Sequence, residues 1–164
     1  YGILRYFNVA GSDLKNKIGC IKKNDQLIKN ISFYIARKNF QISVYGNNYN
    51  TKDGTCIRDY IFIDDISKVH LTILKLISKT NKSYTLNCGY GSGYSVLDII
   101  KNFENELKIN IKKNFLPRRK GDISEIIAST NKIKKYVSLS KKNKLKKIIG
   151  TAVKWEKFLQ KRNI

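Results

Sequence analysis

Only six of the 33 basic residues in this 164-residue chain are arginines, and three of those six, Arg58, Arg118 and Arg119, lie beside aspartates in IRDY at 57–60 and PRRKGD at 117–122. Arginine carries a flat fork of donors that matches phosphate or carboxylate oxygens two at a time, whereas lysine offers only a point charge. Arginines gathered amid abundant lysine therefore point to an anionic ligand. The plainer arrangement has Arg58 paired with Asp59 and Arg119 with Asp122, each pair steadying its own loop. A third polar stretch, RYFN at 5–8, ends an apolar run. The sharpest question concerns DGTCIRDY at 53–60, where Asp53, Arg58, Asp59 and Tyr60 surround a Gly-Thr turn directly before Ile61-Phe62-Ile63. Turn and strand signals alone make it a turn followed by an alternating strand.

The elements that must position these groups follow from periodicity. Ile3–Phe7 reads as a strand and Asn8–Asp13 as the loop leaving its end. Leu27, Ile31, Tyr34 and Ile35 recur at helical spacing, predicting a helix over roughly 24–38. FQISVYG and IRDYIFI read as strands separated by the turn-rich NNYNTKDGT. Asp64 is placed to cap the next helix, whose apolar face is Ile66, Val69, Ile73, Leu76 and Ile77. YTLNC is a strand, and GYGSGYS leads into VLDIIKNFENEL, with Ser95 and Asp98 at the spacing of a capping pair. Glycines at 89, 91 and 93 imitate a dinucleotide fingerprint, but Tyr94 stands where the third glycine belongs, so the segment reads as a plain βα turn. Strand IKKNF, loop LPRRKGDI and helices near 130–137 and 143–161 complete the chain, with Trp155 on an apolar face beside Ile148, Ala152 and Leu159.

Composition closes off several classes. The net charge of +21 is nearly all lysine; stretches such as KIKKYVSLSKKNKLKK lack interleaved aromatics and match no standard nucleic-acid module, so no specific nucleic-acid partner is expected. Cys20, Cys56 and Cys88 show no metal spacing and predict reduced thiols in the cytoplasm, and His70 is the sole histidine. No run reaches the ~18 to 20 apolar residues of a membrane helix. The chain has no methionine and opens on a strand pattern, so it is expected to be a fragment whose N-terminal part is missing.

LRYFNVAGSD, YGNNYNTKDGTCIRDYIFIDDI, LNCGYGSGYSVLDII and LPRRKGDI occur in an order and at spacings that resemble the UDP-glucose 4-epimerases, extended short-chain dehydrogenases/reductases, over about Ile3 to Phe158. DGTCIRDYI is the most specific part. The resemblance implies an α/β fold, the C-terminal substrate-binding part of an extended Rossmann-type NAD-dependent epimerase whose N-terminal Rossmann half is missing. Residues 1–12 would be the last portion of the Rossmann domain and 13–164 mostly the UDP-sugar-binding domain.

By the same resemblance, Tyr6 and Phe7 would lie beside the nicotinamide of NAD, and Asn8 would bind the sugar diphosphate. Gln26, Leu27, Ser43, Val44 and Tyr45 would contact the nucleotide. Arg58 and Arg119 would hold the diphosphate with Tyr60 close by, and Asp122 would accept from the ribose. In such enzymes a tyrosine removes the 4-hydroxyl proton of UDP-glucose or UDP-galactose, NAD takes the C4 hydride, the 4-keto sugar turns over, and the hydride returns to the other face. The glycine fingerprint and Tyr-x-x-x-Lys pair would lie before Tyr1, so no catalytic residue is assigned here and the chain alone is expected to be inactive. The complete enzymes commonly form homodimers. Gln26, Lys29 and Phe62 depart from the usual His or Asn, Pro and His. Two alternatives stay open: a fragment of another NAD-dependent nucleotide-sugar epimerase or dehydratase, and a catalytically inactive remnant.

Overall fold

A computed structural model describes residues 1–22 and 26–162. It is an α/β structure built on parallel strand pairs. Strand β1 (Gly2–Tyr6) pairs in parallel with β5 (Tyr84–Cys88), and β3 (Gln41–Tyr45) pairs in parallel with β7 (Lys112–Leu116). Between them, β4 (Ile57–Phe62) takes β2 (Asn8–Ala10) in parallel, β6 (Gly93–Ser95) antiparallel and the two-residue β8 (Glu125–Ile126) in parallel. The helices are α1 (Leu27–Ala36), α2 (Ile63–Thr80), α3 (Val96–Leu107) and α4 (Lys144–Lys161).

Strand β4 explains how so short a chain builds two cores. Side chains alternate across a strand, so Tyr60 and Phe62 face one way and Asp59 and Ile61 the other. Tyr60 and Phe62 join the core made by α1, β3, α3 and α4, where Ile31, Val44, Phe103 and Ile149 are fully enclosed. Ile61 joins the second core, formed with Val69 and Ile73 of α2 and Leu86 and Cys88 of β5. Burial on both faces is what a near-continuous apolar run produces. Each such side chain contributes about 1.5 to 3 kcal/mol of transfer free energy.

The predicted helices over 143–161 and after Ser95 form, and the Ser95–Asp98 pair closes a reciprocal capping box at the start of α3. Trp155 is buried, as its apolar neighbours imply. Three expectations need correction, and a fourth falls partly outside the described residues. Asn8–Ala10 is a strand rather than a loop, because Val9 can register on Ile61 once β4 is in place. Helix α2 starts at Ile63 after an extended Phe62, so Asp64 lies in its first turn and does not cap it. The helix near 130–137 reduces to a single 3-10 turn at Ile133–Lys135. Helix α1 is described from Leu27 onward, and residues 24 and 25 of its predicted start lie outside the described residues. Strands β6 and β8 were not foreseen, since two- and three-residue strands have no periodicity to read.

Candidate functional site: an arginine-floored cleft along β3

Helix α1 and strand β3 form one wall of a cleft of about 890 Å³. The alternation of β3 sends Ile42 and Val44 toward the core and leaves Gln41, Ser43 and Tyr45 on the other face. On α1, Leu27, Asn30 and Tyr34 recur at i, i+3 and i+7 and so share the facing stripe. The opposite wall comes from β2 and β4, where Asn8 lies in register with Tyr60 and Arg58 precedes Tyr60 by one alternation. The loop after β7 delivers Arg119 and Asp122.

The cleft is thus lined by Asn8, Gln26, Leu27, Ser43, Tyr45, Arg58, Tyr60, Arg119 and Asp122, brought together from five separate segments. Val44 is fully buried in the core, and its side chain does not line the cleft. Tyr6 and Phe7 do not line it either; the Tyr6 hydroxyl lies 2.6 Å from Nε2 of His70 on α2. Asn30, Tyr34, Asn39, Gln41, Cys56 and Val96 line the cleft without having been singled out in the sequence. The helical stripe of α1 and the alternation of β3 are the signals that could have found Asn30, Tyr34 and Gln41.

The electrostatics favour an anion. Arg58, whose side chain is only 16% exposed, approaches the Asp122 carboxylate at 3.8 Å and donates to the carbonyl of Ile57 at 2.8 Å. The Arg119 guanidinium lies 3.9 Å from the centre of the Tyr45 ring. Stacking holds a guanidinium flat while its edge donors remain available. Two arginines and one carboxylate thus line the cleft. Burial pushes the Tyr60 phenol far above its ordinary range, against the opposing charge of Arg58, so it stays a neutral hydrogen-bonding group.

The other charges of DGTCIRDY have structural employment. Asp59 is fully buried and accepts from the backbone N–H groups of Tyr90 at 3.0 Å, Gly91 at 2.8 Å and Ala128 at 3.2 Å. Asp53 accepts from the backbone and hydroxyl of Thr55 and from the Ser95 hydroxyl, tying the loop to α3. Arg118 donates to Asn48 and lies over Tyr49, clasping loop to loop. In this stretch only Arg58 and Tyr60 turn toward the cleft, together with the thiol-bearing Cys56.

Two departures noted in the sequence are satisfied in the structure. Lys29 is buried and bonded to Glu156 and to the Cys20 carbonyl. Phe62 packs in the core beneath Gly11, where a Cβ would fall 2.7 Å from its ring.

The glycine turn between β5 and β6 does not suit a dinucleotide. Its Tyr90 and Gly91 N–H groups already serve the Asp59 carboxylate, and a Cβ on Gly89 would lie 2.5 Å from that carboxylate oxygen. A pyrophosphate would meet a buried negative charge there. A Tyr-x-x-x-Lys spacing does occur at Tyr34–Lys38, but Lys38 lies beyond the end of α1 with φ +56°, so the two do not share a helical face. Neither the glycine turn nor Tyr34–Lys38 therefore suits NAD.

The profile of the NAD dependent epimerase/dehydratase family matches residues 1–89. A UDP-glucose 4-epimerase of Azospirillum brasilense is 33% identical over 160 residues, covering 96% of this chain and 46% of its own length. One from Lactobacillus helveticus is 36% identical over 159 residues, covering 96% of this chain and 48% of its own. Among solved structures, a UDP-glucose 4-epimerase of Stenotrophomonas maltophila with bound NAD and formylated UDP-arabinopyranose superposes with a TM-score of 0.91 at 29% identity, over 98% of this chain and 48% of that one. The UDP-Glc/GlcNAc 4-epimerase of Campylobacter jejuni superposes with a TM-score of 0.74 at 38% identity, over 96% and 48%. This chain spans about half the length of the relatives it matches. With more than half of its residues matched by the family profile and its fold shared, the chain belongs to the NAD dependent epimerase/dehydratase family, whose cofactor is NAD.

Proposed function

We propose that the cleft binds the UDP of a UDP-hexose and that the chain supplies the nucleotide-holding half of an NAD-dependent UDP-hexose 4-epimerase, the C-terminal half by the order of its motifs. Residues 1–12 belong to the Rossmann sheet on this reading, and 13–164 mostly to the UDP-sugar domain. The observation that carries it is the meeting of Arg58, Arg119, Asp122 and Asn8 in one cleft from segments far apart in the chain. Arg58 and Arg119 take the diphosphate, Tyr60 and Asn8 border it, and Asp122 accepts from ribose hydroxyls. Holding the nucleotide firmly and the hexose loosely leaves the sugar free to turn over, so remote binding energy positions the reacting carbon without locking it. Tyr6 and Phe7 lie outside the cleft and would meet the cofactor only from the β1 side.

Relatives described as UDP-arabinose 4-epimerases, one 35% identical over 162 residues, favour a second reading in which the sugar is a pentose. A coupled assay for UDP-glucose formed from UDP-galactose, with NAD supplied, tests the proposal. The chain alone gives no turnover, and co-expression with a partner half bearing the glycine fingerprint and Tyr-x-x-x-Lys restores it. Turnover by the chain alone contradicts the division of labour, and a folded pair that stays inactive on both hexose and pentose substrates contradicts the proposed activity.

A further inference from the structure

The acidic residues of the chain leave two long stretches empty. Residues 66–97 and 126–155 hold no aspartate or glutamate, and between them they carry thirteen lysines and no arginine. The fold joins the two stretches on the side of the second core. At one end Asp65, in the first turn of α2, pairs with Lys144 of α4 at 2.7 Å and with Lys68 at 3.5 Å. At the other end the Thr80 hydroxyl lies 2.8 Å from that of Tyr84, whose ring meets Tyr136 edge-on with centroids 5.1 Å apart. The helix between Asp65 and Thr80 makes this ridge about 22 Å long.

Packing decides which way its side chains point. In KIKKYV at 132–137, Ile133 and Val137 are buried in the second core, which leaves Lys132, Lys134 and Lys135 in solvent around a Tyr136 that is 37% exposed. Lys79 and Lys82 at the end of α2 and Lys141 and Lys142 before α4 are exposed as well. Among the described residues none of these lysines has an acidic partner. Like charges held together repel, so an external anion lowers the energy of the ridge.

Two features choose among polyanions. Lysine without arginine supplies point charges and no forks, which suits a field spread over many headgroups better than two-pronged contact with single phosphates. No lysine of the ridge lines the cleft or the smaller cavity beside Trp155, so the surface offers no groove for a strand to follow, and one exposed aromatic ring is too few for base stacking. A tyrosine half out of the surface among lysines fits the headgroup level of a lipid layer, with its ring against apolar carbon and its hydroxyl in water.

We infer that the ridge running from Lys79 and Lys82 through Lys132, Lys134 and Lys135 to Lys142 docks the protein on an anionic lipid surface, with Tyr136 at its centre. Among the described residues no helix is long and apolar enough to cross a membrane, and the contact is peripheral. It stands apart from the nucleotide reading, because the cleft is walled by α1 and β3 of the first core.

The test is co-sedimentation of the full chain with vesicles of phosphatidylcholine alone and of phosphatidylcholine with about a third phosphatidylserine. The chain partitions onto the anionic vesicles and not the neutral ones, and added salt releases it. Combining Lys132→Glu, Lys134→Glu and Lys135→Glu weakens partitioning at least about 100-fold, the worth of three lysines at a charged surface. Combining Lys101→Glu, Lys112→Glu and Lys157→Glu, the same change of net charge off the ridge, stays within about tenfold of the native chain. If the ridge variant does not fold, Lys134→Gln with Lys135→Gln decides the matter with a loss of about 30-fold. Equal losses in the two triple variants, or equal binding to neutral vesicles, overturn the inference. Tighter binding of polyadenylate than of anionic vesicles at matched phosphate overturns the choice of lipid in favour of nucleic acid.

Discussion

Adjacent residues of β4 divide the labour of the site. Arg58 turns to the cleft, while Asp59 turns inward and gathers three backbone N–H groups. Asp59→Asn replaces one acceptor oxygen with a donor that faces backbone donors, so urea denaturation should show a loss of about 2 to 3 kcal/mol with little change in slope. Arg119→Lys acts differently. The ammonium cannot reproduce a two-pronged contact, so UDP affinity measured by calorimetry should fall by roughly 1 to 3 kcal/mol while the melting temperature holds. The arginine-aspartate pattern was legible as a ligand site or as the loop pairs Arg58–Asp59 and Arg119–Asp122; the ion pair that forms is instead Arg58 with Asp122 across the cleft, whereas Arg118 clasps Asn48 of the neighbouring loop. Residue type alone does not separate Arg118 from Arg119, because their roles depend on which way consecutive side chains of one loop point; the family resemblance singled out Arg119.

Elements were legible where a period was long enough to read. Helices α2, α3 and α4 and strands β1, β3, β5 and β7 carry that signal. The start of α2 was misplaced because Asp64 looks like a cap, yet the helix begins against β4 with Asp64 and Asp65 already in its first turn. Asp65 then links elements: it pairs with Lys144 of α4 and accepts from Tyr90 before β6. Burial pushes its carboxyl up, but the Lys144 and Tyr90 hydrogen bonds and the charges of Lys144 and Lys68 outweigh this and hold it below the ordinary carboxylate value. A carboxyl lowered in the folded state contributes stability above its unfolded pKa and loses it as pH falls through the folded one. Thermal melts taken from pH 6 down to pH 3 should therefore show falling stability, and Asp65→Asn should be less stable at pH 6 with a shallower acid dependence. An acid dependence identical in the variant would contradict this link. Gly54 carries the turn of the long loop at φ +76°, and a Cβ there would strike the Asn47 carbonyl, so Gly54→Ala should unfold more readily.

At the scale of the whole molecule, the two cores share β4, and β1 pairs with β5 alone among the described residues. Tyr1, Ile3 and Tyr6 on and beside β1 and Leu71 and Leu74 on α2 are exposed. An open strand edge with apolar neighbours invites pairing with another chain. Light scattering should show concentration-dependent association, reduced by Ile3→Lys. The α/β class and the convergence of distant segments could be expected from the resemblance, whereas the depth of the cleft toward Asn30 could not, since it depends on how α1 leans against β3 and α4. The account stands on one claim, that the arginine-floored cleft holds UDP. Titrating UDP into the isotope-labelled chain and following its amide resonances tests that claim most directly. The account predicts saturable shifts confined to Asn8, 26–30, 43–45, 58–60 and 119–122. Shifts confined to the lysine-rich residues 132–147, or none at millimolar UDP, would contradict it.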